Sequence, residues 1–379
     1  MTAATPVYLD YNATGRVRPA VIEAVAEAMR QGGNASSIHH FGRIARKKVE
    51  DAREQVAALV GARPELVVFT GGGTEADNLA IRGLPAKRLI VSAIEHGAVL
   101  APALLHDPKA VILPVDGAGA IDLPALEAAL ASAPRPALVS VMYANNETGV
   151  LQPMPRIGEI AHRHGAWLHS DCVQAAGKVP LDLGTLGADL ISLSAHKLGG
   201  PQGVGALVLA ADLDLAAQNV GGGQERGRRS GTENVPGIAG FGVAAALAKA
   251  ELPALAERVG RLRDDLERRV LAASPGARVY GRQAPRLPNT SSLSMPGRNA
   301  DVQVMAFDLV GIAISAGAAC SSGKVSASHV LAAMGIEDDE AKRAIRVSLG
   351  WQSSAGDVDR FLTAWQAIEA GCGRQPDAA

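Results

Sequence analysis

Between positions 66 and 210 the chain carries seven apolar runs of strand length, near 66–70, 88–93, 110–115, 137–142, 166–170, 190–194 and 204–209. Helically spaced segments at 74–82, 97–106, 123–131 and 155–164 separate most of them. Continuous apolar strands alternating with helices of this length predict a mostly parallel, seven-stranded sheet covered on both faces. Only a short loop joins the last two runs, which leaves that pair open to an antiparallel arrangement.

Outside this region the pattern is less regular. A polar loop at 8–15 precedes a helix at 19–30, with Pro19 suited to its first turn, and a basic helix over about 43–60 stops at Gly61. A glycine- and arginine-rich loop, Gly221 to Thr232, leads into a long Ala/Leu/Arg helix at about 236–273, where Pro253 predicts a kink. Short strands near 290–295, 311–315 and 344–349 alternate with helices near 300–310, 327–334 and 356–369. The expected fold class is therefore α/β, with a large domain at 14–255. A smaller α+β domain is expected from 1–13 together with 256–379.

Composition narrows the partners. The 379 residues are 47% hydrophobic and 20% charged, and the net charge is -1, so nothing points to nucleic acid or an anionic membrane. Residues 1–8 have neither a basic nor an apolar leader region, and no charge-free apolar run reaches about 18 residues. A cytoplasmic protein is expected. Three widely spaced cysteines, Cys172, Cys320 and Cys372, are not a disulfide framework, and no CxxC pair occurs. His39 and His40 read as a loop pair, and His162 and His164 fall on different helix faces, so no metal site is expected.

Chemistry gathers where the predicted strands end. The run ending at Ser194 delivers His196 and Lys197, followed at once by Gly199, Gly200 and Pro201. Open α/β sheets bind ligands at that end. Lys197 alone reads either as a solvated charge, the commoner fate of lysine, or as a nucleophilic amine. Other strand ends supply Glu95-His96, Asn145-Asn146, and Asp171 with Gln174. The segment Gly71-Gly-Gly-Thr74 enters a helix, so its amides and hydroxyl suit an anion, or else form a plain turn with Thr74 as a cap. It is neither a GxGxxG fingerprint nor a Walker A loop, which disfavours a nicotinamide oxidoreductase. A lysine, a carboxylate and a phosphate cradle on one sheet edge suit pyridoxal 5′-phosphate, with His96 able to stack on the ring and move protons. Elsewhere, Cys320 sits among small residues in Ser315-Ala-Gly-Ala-Ala-Cys-Ser-Ser-Gly323, read either as a small buried hydrophobe or as an accessible thiol nucleophile. Arg346, inside an apolar strand, needs an anionic partner, and a substrate carboxylate fits its planar fork.

Taken in order, ten segments resemble the cysteine desulfurases, the class V aminotransferase group that feeds iron–sulfur cluster assembly. They are YLDYNATG (8–15), GNASSIHHFGR (33–43), FTGGGTEADNLAI (69–81), EHGAV (95–99), NNETGV (145–150), DCVQAAGK (171–178), SAHKLGGPQGVGAL (194–207), GGGQERGRRSGTEN (221–234), SAGAACSSG (315–323) and IRVSLG (345–350). The resemblance implies the PLP-dependent transferase fold of the aspartate-aminotransferase type, with pyridoxal 5′-phosphate as cofactor. It implies conversion of L-cysteine to L-alanine with sulfur passing to an enzyme cysteine as persulfide. Lys197 then carries the cofactor as a Schiff base, His96 stacks on its ring, Asp171 pairs with the pyridine nitrogen and Gln174 contacts the phenolic oxygen. Thr74, Ser194 and His196 hold the phosphate, with Thr232 reaching in from the second subunit of a homodimer. Asn146 and Arg346 hold the substrate carboxylate, and Cys320 receives sulfur for an acceptor such as an iron–sulfur scaffold. The stretch through Ser328-His329 is similar to the long-loop group.

The chain departs from that pattern at Cys172, where alanine is usual, at Gln224, where histidine is common, and in its short C-terminal end. The last leaves the acceptor open and leans toward a nitrogenase-type or specialised member. Selenocysteine lyase or another reaction on the same fold is the enzymatic alternative. A non-catalytic sulfur carrier or scaffold is the other, and intact Lys197, Asp171 and His96 argue against it.

Overall fold

The computed structural model describes residues 5–317 and 327–371. The seven apolar runs all form strands: β2 (Val67–Thr70), β3 (Arg88–Ser92), β4 (Val111–Leu113), β5 (Ala137–Ser140), β6 (Trp167–Asp171), β7 (Leu190–Ser194) and β8 (Gly205–Leu209), preceded by a two-residue β1 (Val7–Tyr8). Their order across the sheet is β2-β8-β7-β6-β5-β3-β4. Strands β3 to β7 pair in parallel. β8 runs antiparallel to both β7 and β2, because a loop from Ala195 to Val204 is too short to bring the chain back to the starting edge.

Each predicted helix in this region forms within a residue or two of its expected ends: Gly73–Gly83, Gly97–His106, Leu123–Ser132 and Met154–Arg163. The sheet is buried on both faces. One core joins its strands to the helices His40–Leu59 and Val235–Ala273, and the other lies under Gly73–Gly83 and Gly97–His106. The helix His40–Leu59 starts earlier than expected because His39 is its cap, its Nδ1 accepting from Gly42 N at 3.3 Å; the two histidines are thus not a loop pair. Val235–Ala273 runs through Pro253 as one element of 39 residues. By length and apolar content this helix meets the requirement for crossing a membrane, yet Ile238, Phe241 and Ala245 on it are packed in the core against the sheet.

A separate core, including Val7, Leu9, Leu266, Phe307, Phe361 and Trp365, organises the second layer system. Here β9 (Arg278–Tyr280), β10 (Thr290–Ser294), β12 (Ser315–Ala316) and β13 (Ala344–Ser348) make an antiparallel sheet in the order β12-β13-β10-β9. The single strand expected at 311–315 is two. β11 (Ile312–Ala313) pairs in parallel with β1, and β12 crosses to β13, so the chain changes sheets at Ile314. The N-terminal segment thereby leaves β1, passes Asn12 and reaches the carboxyl ends of the large sheet.

Candidate active site

The carboxyl ends of β2, β3, β5, β6 and β7 surround a cavity of about 370 Å³. Its lining includes Thr74, His96, Asn146, Asp171, Gln174, Ser194, His196, Lys197 and Arg346, which the sequence places 272 positions apart at the extremes. Ser315 and Ala316 of β12 close one side, just before the segment that carries Cys320. Cys320 itself lies outside the described residues. Thr232 is exposed and does not line the cavity of this single chain.

Lys197 ends a turn of 3-10 helix directly after β7. Its Nζ donates to the main-chain oxygens of Asn12, at 2.7 Å, and Ala13, at 2.8 Å. Burial lowers its pKa to about 8, with the Arg346 charge adding to the effect and Asp171 and Asp10 opposing it. The amine is thus much closer to its neutral, nucleophilic form at physiological pH than an exposed lysine.

Asp171 ends β6, and its Oδ1 accepts from Val173 N at 2.9 Å. It forms no ion pair among the described residues, and burial raises its pKa. A buried carboxyl left this way favours a cationic group from a ligand. Beneath it, Asp77 also lines the cavity and has an Oδ1 with no hydrogen-bond partner; burial and the Asp171 charge push its pKa well up. His169 bridges Ser140 and Ser192, and burial holds it neutral, with a pKa of about 3.

The cradle is built from close backbone approach. Gly72 precedes the helix Gly73–Gly83 with a φ of 154°, and a Cβ on Gly73 would come within 2.8 Å of Val173. Larger residues would fill the space in which Thr74, Ser194 and the helix N-terminus face an anion. His196 is oriented by Thr14, Nδ1 to Oγ1 at 3.0 Å, and burial lowers its pKa to about 4. His96 caps the helix Gly97–His106, its Nδ1 accepting from Ala98 N at 3.1 Å, so the proton of the neutral ring sits on Nε2. Burial first, then Lys197 and His329, lower its pKa against the pull of Asp171.

Several site residues carried no signal of their own. Asn12 lies in the first polar loop but is fully buried, and Lys178 follows Gln174 by four positions in a run of turns. Glu147, beside Asn146, is buried and accepts from Ser328.

A mostly parallel sheet presenting a lysine with a lowered pKa, a buried unpaired carboxylate and a glycine–hydroxyl cradle defines an aminotransferase-type enzyme. The aminotransferase class-V family profile matches residues 7–361. A cysteine desulfurase of Cereibacter sphaeroides is 46% identical over 367 residues, covering 94% of each chain. Among solved structures, a NifS-like protein from Rickettsia africae superimposes with a TM-score of 0.90 at 35% identity, covering 96% of this chain and 99% of that one. A protein solved as SspA in complex with cysteine has a TM-score of 0.78 at 30% identity, over 91% of this chain and 99% of its own. The chain belongs to the class-V aminotransferase family and, within it, to the cysteine desulfurases.

Proposed function

We propose that this enzyme converts L-cysteine and the thiol of Cys320 into L-alanine and a Cys320 persulfide. The balance is closed: the substrate's C–S bond breaks, an S–S bond forms, and the thiol proton and the substrate's own hydrogens remain in alanine and the persulfide. The observation that carries the reading is the meeting of Lys197, Asp171 and the Gly73–Thr74 cradle in one cavity. A relative in the same structural group is described as a complex with cysteine.

The residues fit pyridoxal 5′-phosphate. Asp171 has no ion-pair partner among the described residues, the cradle admits an anion, and the families matched are ones that use this cofactor. When bound, the cofactor supplies an electron sink for charge developing at the substrate Cα. Asp171 holds its pyridine nitrogen protonated, Gln174 donates to its phenolic oxygen, and Thr74, Ser194 and His196 hold its phosphate, with Thr232 contributed by a second subunit of a homodimer. Lys197 Nζ holds the cofactor and moves the Cα proton. His96, with its Nε2–H directed by the cap, serves as acid and base near sulfur. Arg346 and Asn146 hold the substrate carboxylate. The persulfide passes to an acceptor protein such as an iron–sulfur scaffold, and the buried free thiol of Cys172 fits a reducing, cytoplasmic setting.

The test is the absorbance spectrum of the purified protein before and after L-cysteine, with alanine assayed and the persulfide sought on the Cys320 peptide. Cys320→Ser retains the spectral response but loses catalytic sulfur transfer. A Cys320→Ser enzyme that releases sulfide at the wild-type rate removes Cys320 from the reaction. A colourless protein that makes no alanine ends the reading.

A further inference from the structure

Lys178 has no carboxylate partner among the described residues. Its Nζ donates to Asn12 Oδ1 at 2.9 Å and to Gln174 Oε1. Burial, with the charges of Lys197 and Arg346, lowers its pKa well below the usual lysine range. Desolvation of this kind favours the neutral amine, whose two N–H groups still serve both oxygens.

The contact settles an orientation. The Asn12 main-chain oxygen can only accept, so the Gln174 atom facing it is Nε2, and the amide oxygen therefore faces Lys178 Nζ, which donates to it. The NH₂ group then points the other way, and Nε2 donates to the main-chain oxygen of Asn12 at 2.9 Å. That same oxygen accepts from Lys197 Nζ at 2.7 Å. The second N–H of Gln174 is left for the cavity, which Gln174 lines. Asn12 is itself held on every side. Its N–H donates to Ser348 Oγ at 2.9 Å, its Nδ2 to Thr290 Oγ1 at 2.9 Å, and its Oδ1 also accepts from Asn289 at 3.1 Å.

We propose that Lys178 is a positioning residue: through Gln174 and Asn12 it locks the Gln174 amide with its NH₂ toward the ligand cavity and toward the carbonyl that also seats the Lys197 amine. It touches neither substrate nor cofactor. Its effect on the cofactor rests on the proposed reading of Gln174 as the partner of the phenolic oxygen. Without Lys178 only the bond from Nε2 to the Asn12 carbonyl holds the amide, and a turned amide would face the cavity with its oxygen, which repels an anionic ligand oxygen instead of donating to it.

Two measurements test this. In the cofactor-free protein, solvent exchange of the Gln174 side-chain amide protons, assigned by their loss in Gln174→Ala, is slow in the wild type and in Lys178→Arg. Exchange accelerates about tenfold in Lys178→Met, as expected for loss of one hydrogen bond. In the holoenzyme, a double-mutant cycle on the equilibrium dissociation constant of pyridoxal phosphate compares Lys178→Met, Gln174→Ala and the pair. Lys178→Met alone weakens binding about tenfold and shifts the pH midpoint of the bound cofactor's absorbance. In the Gln174→Ala background the same change has little further effect. Lys178→Ala replaces the methionine variant if the latter does not fold. Unchanged amide exchange, or additive effects in the cycle, overturns the proposal. A wild-type protein that binds no pyridoxal phosphate sinks the functional reading instead, and the exchange experiment still decides whether Lys178 locks Gln174.

Discussion

Arg346, which lines the cavity, pairs with Asp10, Nη2 to Oδ1 at 3.0 Å. Nη1 donates to the main-chain oxygen of Asn146 at 3.2 Å, and Nε is buried with no partner. Asp10 follows β1 and Arg346 lies on β13, so the pair stitches the N-terminal strand to the antiparallel sheet while holding the guanidinium flat. Of the five N–H groups of the guanidinium these bonds use two, so besides Nε–H each of Nη1 and Nη2 keeps a second N–H. Replacing Arg346 with alanine should raise the KM for L-cysteine by about 10- to 100-fold, the value of one charge-assisted hydrogen bond or two. The cofactor should still bind and give its absorbance band, with the pH midpoint of that band displaced by loss of the Arg346 charge near Lys197. Steady-state kinetics at constant cofactor loading checks this, and an unchanged KM would remove Arg346 from substrate binding. Lysine in its place should recover only part of the loss, because a point charge cannot reproduce the planar fork.

Glu147 gives a pH dependence with a definite sign. It is buried next to Asn146, its Oε2 accepts from Ser328 Oγ at 2.5 Å, and burial raises its pKa to about 7 from an ordinary 4.5, against opposing contributions from Ser328 and Arg346. The folded protein therefore binds a proton here that the unfolded chain releases between pH 4.5 and 7. The resulting stabilisation is complete below pH 4.5 and is lost as pH rises through 7. Glu147→Gln keeps the shape and removes the titration. The unfolding free energy of wild type minus that of the variant should fall as pH is raised from 4.5 to 7 and then level off. Urea denaturation of both proteins at several pH values measures it, and a pH-independent difference would refute the buried titration.

The large sheet was legible because its strands are buried on both faces: β2, β5, β7 and β8 have no exposed position, so they read as unbroken apolar runs. β1 and β9 were not. Two residues in β1 and three in β9 carry no period, and β1 exists only because Val7 pairs with Ile312, far away in the chain. The split of 311–315 into β11 and β12 is a tertiary event of the same kind, decided by which partner strand is adjacent. In the site, Lys197, Asp171 and His96 were visible because strand ends deliver them to a common edge. Asn12 was not, since its partners Ser348, Thr290, Gln174 and Lys197 are separated from it by 162 to 336 positions. Lys178 falls in the segment 171–178, and only its contacts with Gln174 and Asn12 in the fold give it a role.

Cys172 lies beside Asp171 just after β6, and there packing prevails over chemistry. It is fully buried, its Sγ lies 3.6 Å from Ser170 Oγ, and burial pushes the thiol pKa up, with Asp171 and Asp77 acting in the same direction. A thiol held protonated is a poor nucleophile. In the native protein, iodoacetamide should leave Cys172 unmodified until the chain is unfolded, as read by peptide mass spectrometry. Cys172→Ala should transfer sulfur at close to the wild-type rate. Labelling of Cys172 in the native state would contradict the burial.

The glycine- and arginine-rich loop is pinned by a buried ion pair. Arg53 meets Glu225 through two bonds, Nη1 to Oε2 at 2.8 Å and Nη2 to Oε1 at 3.0 Å, and Phe69 N donates to the same carboxylate at 2.9 Å. Arg53 Nη1 also donates to Val67 O at 2.7 Å, and its guanidinium lies over the Phe69 ring at 4.9 Å. This clamp holds Glu225 and Arg226 at φ values of 47° and 57°, a conformation non-glycine residues adopt at a cost of about 1–2 kcal/mol each. Removing Arg53 strands the Glu225 carboxylate without solvent, and removing Glu225 leaves the Arg53 guanidinium only the half-exposed Glu50 at its Nε, 3.2 Å away. Glu225→Gln or Arg53→Met alone should therefore destabilise the fold by about 3 kcal/mol or more. The paired change Arg53→Met with Glu225→Leu should cost much less than the sum, because neither charge is then left buried. Denaturant titration of the four proteins checks the cycle. Single losses below about 1 kcal/mol would place the pair in water and free the loop from β2.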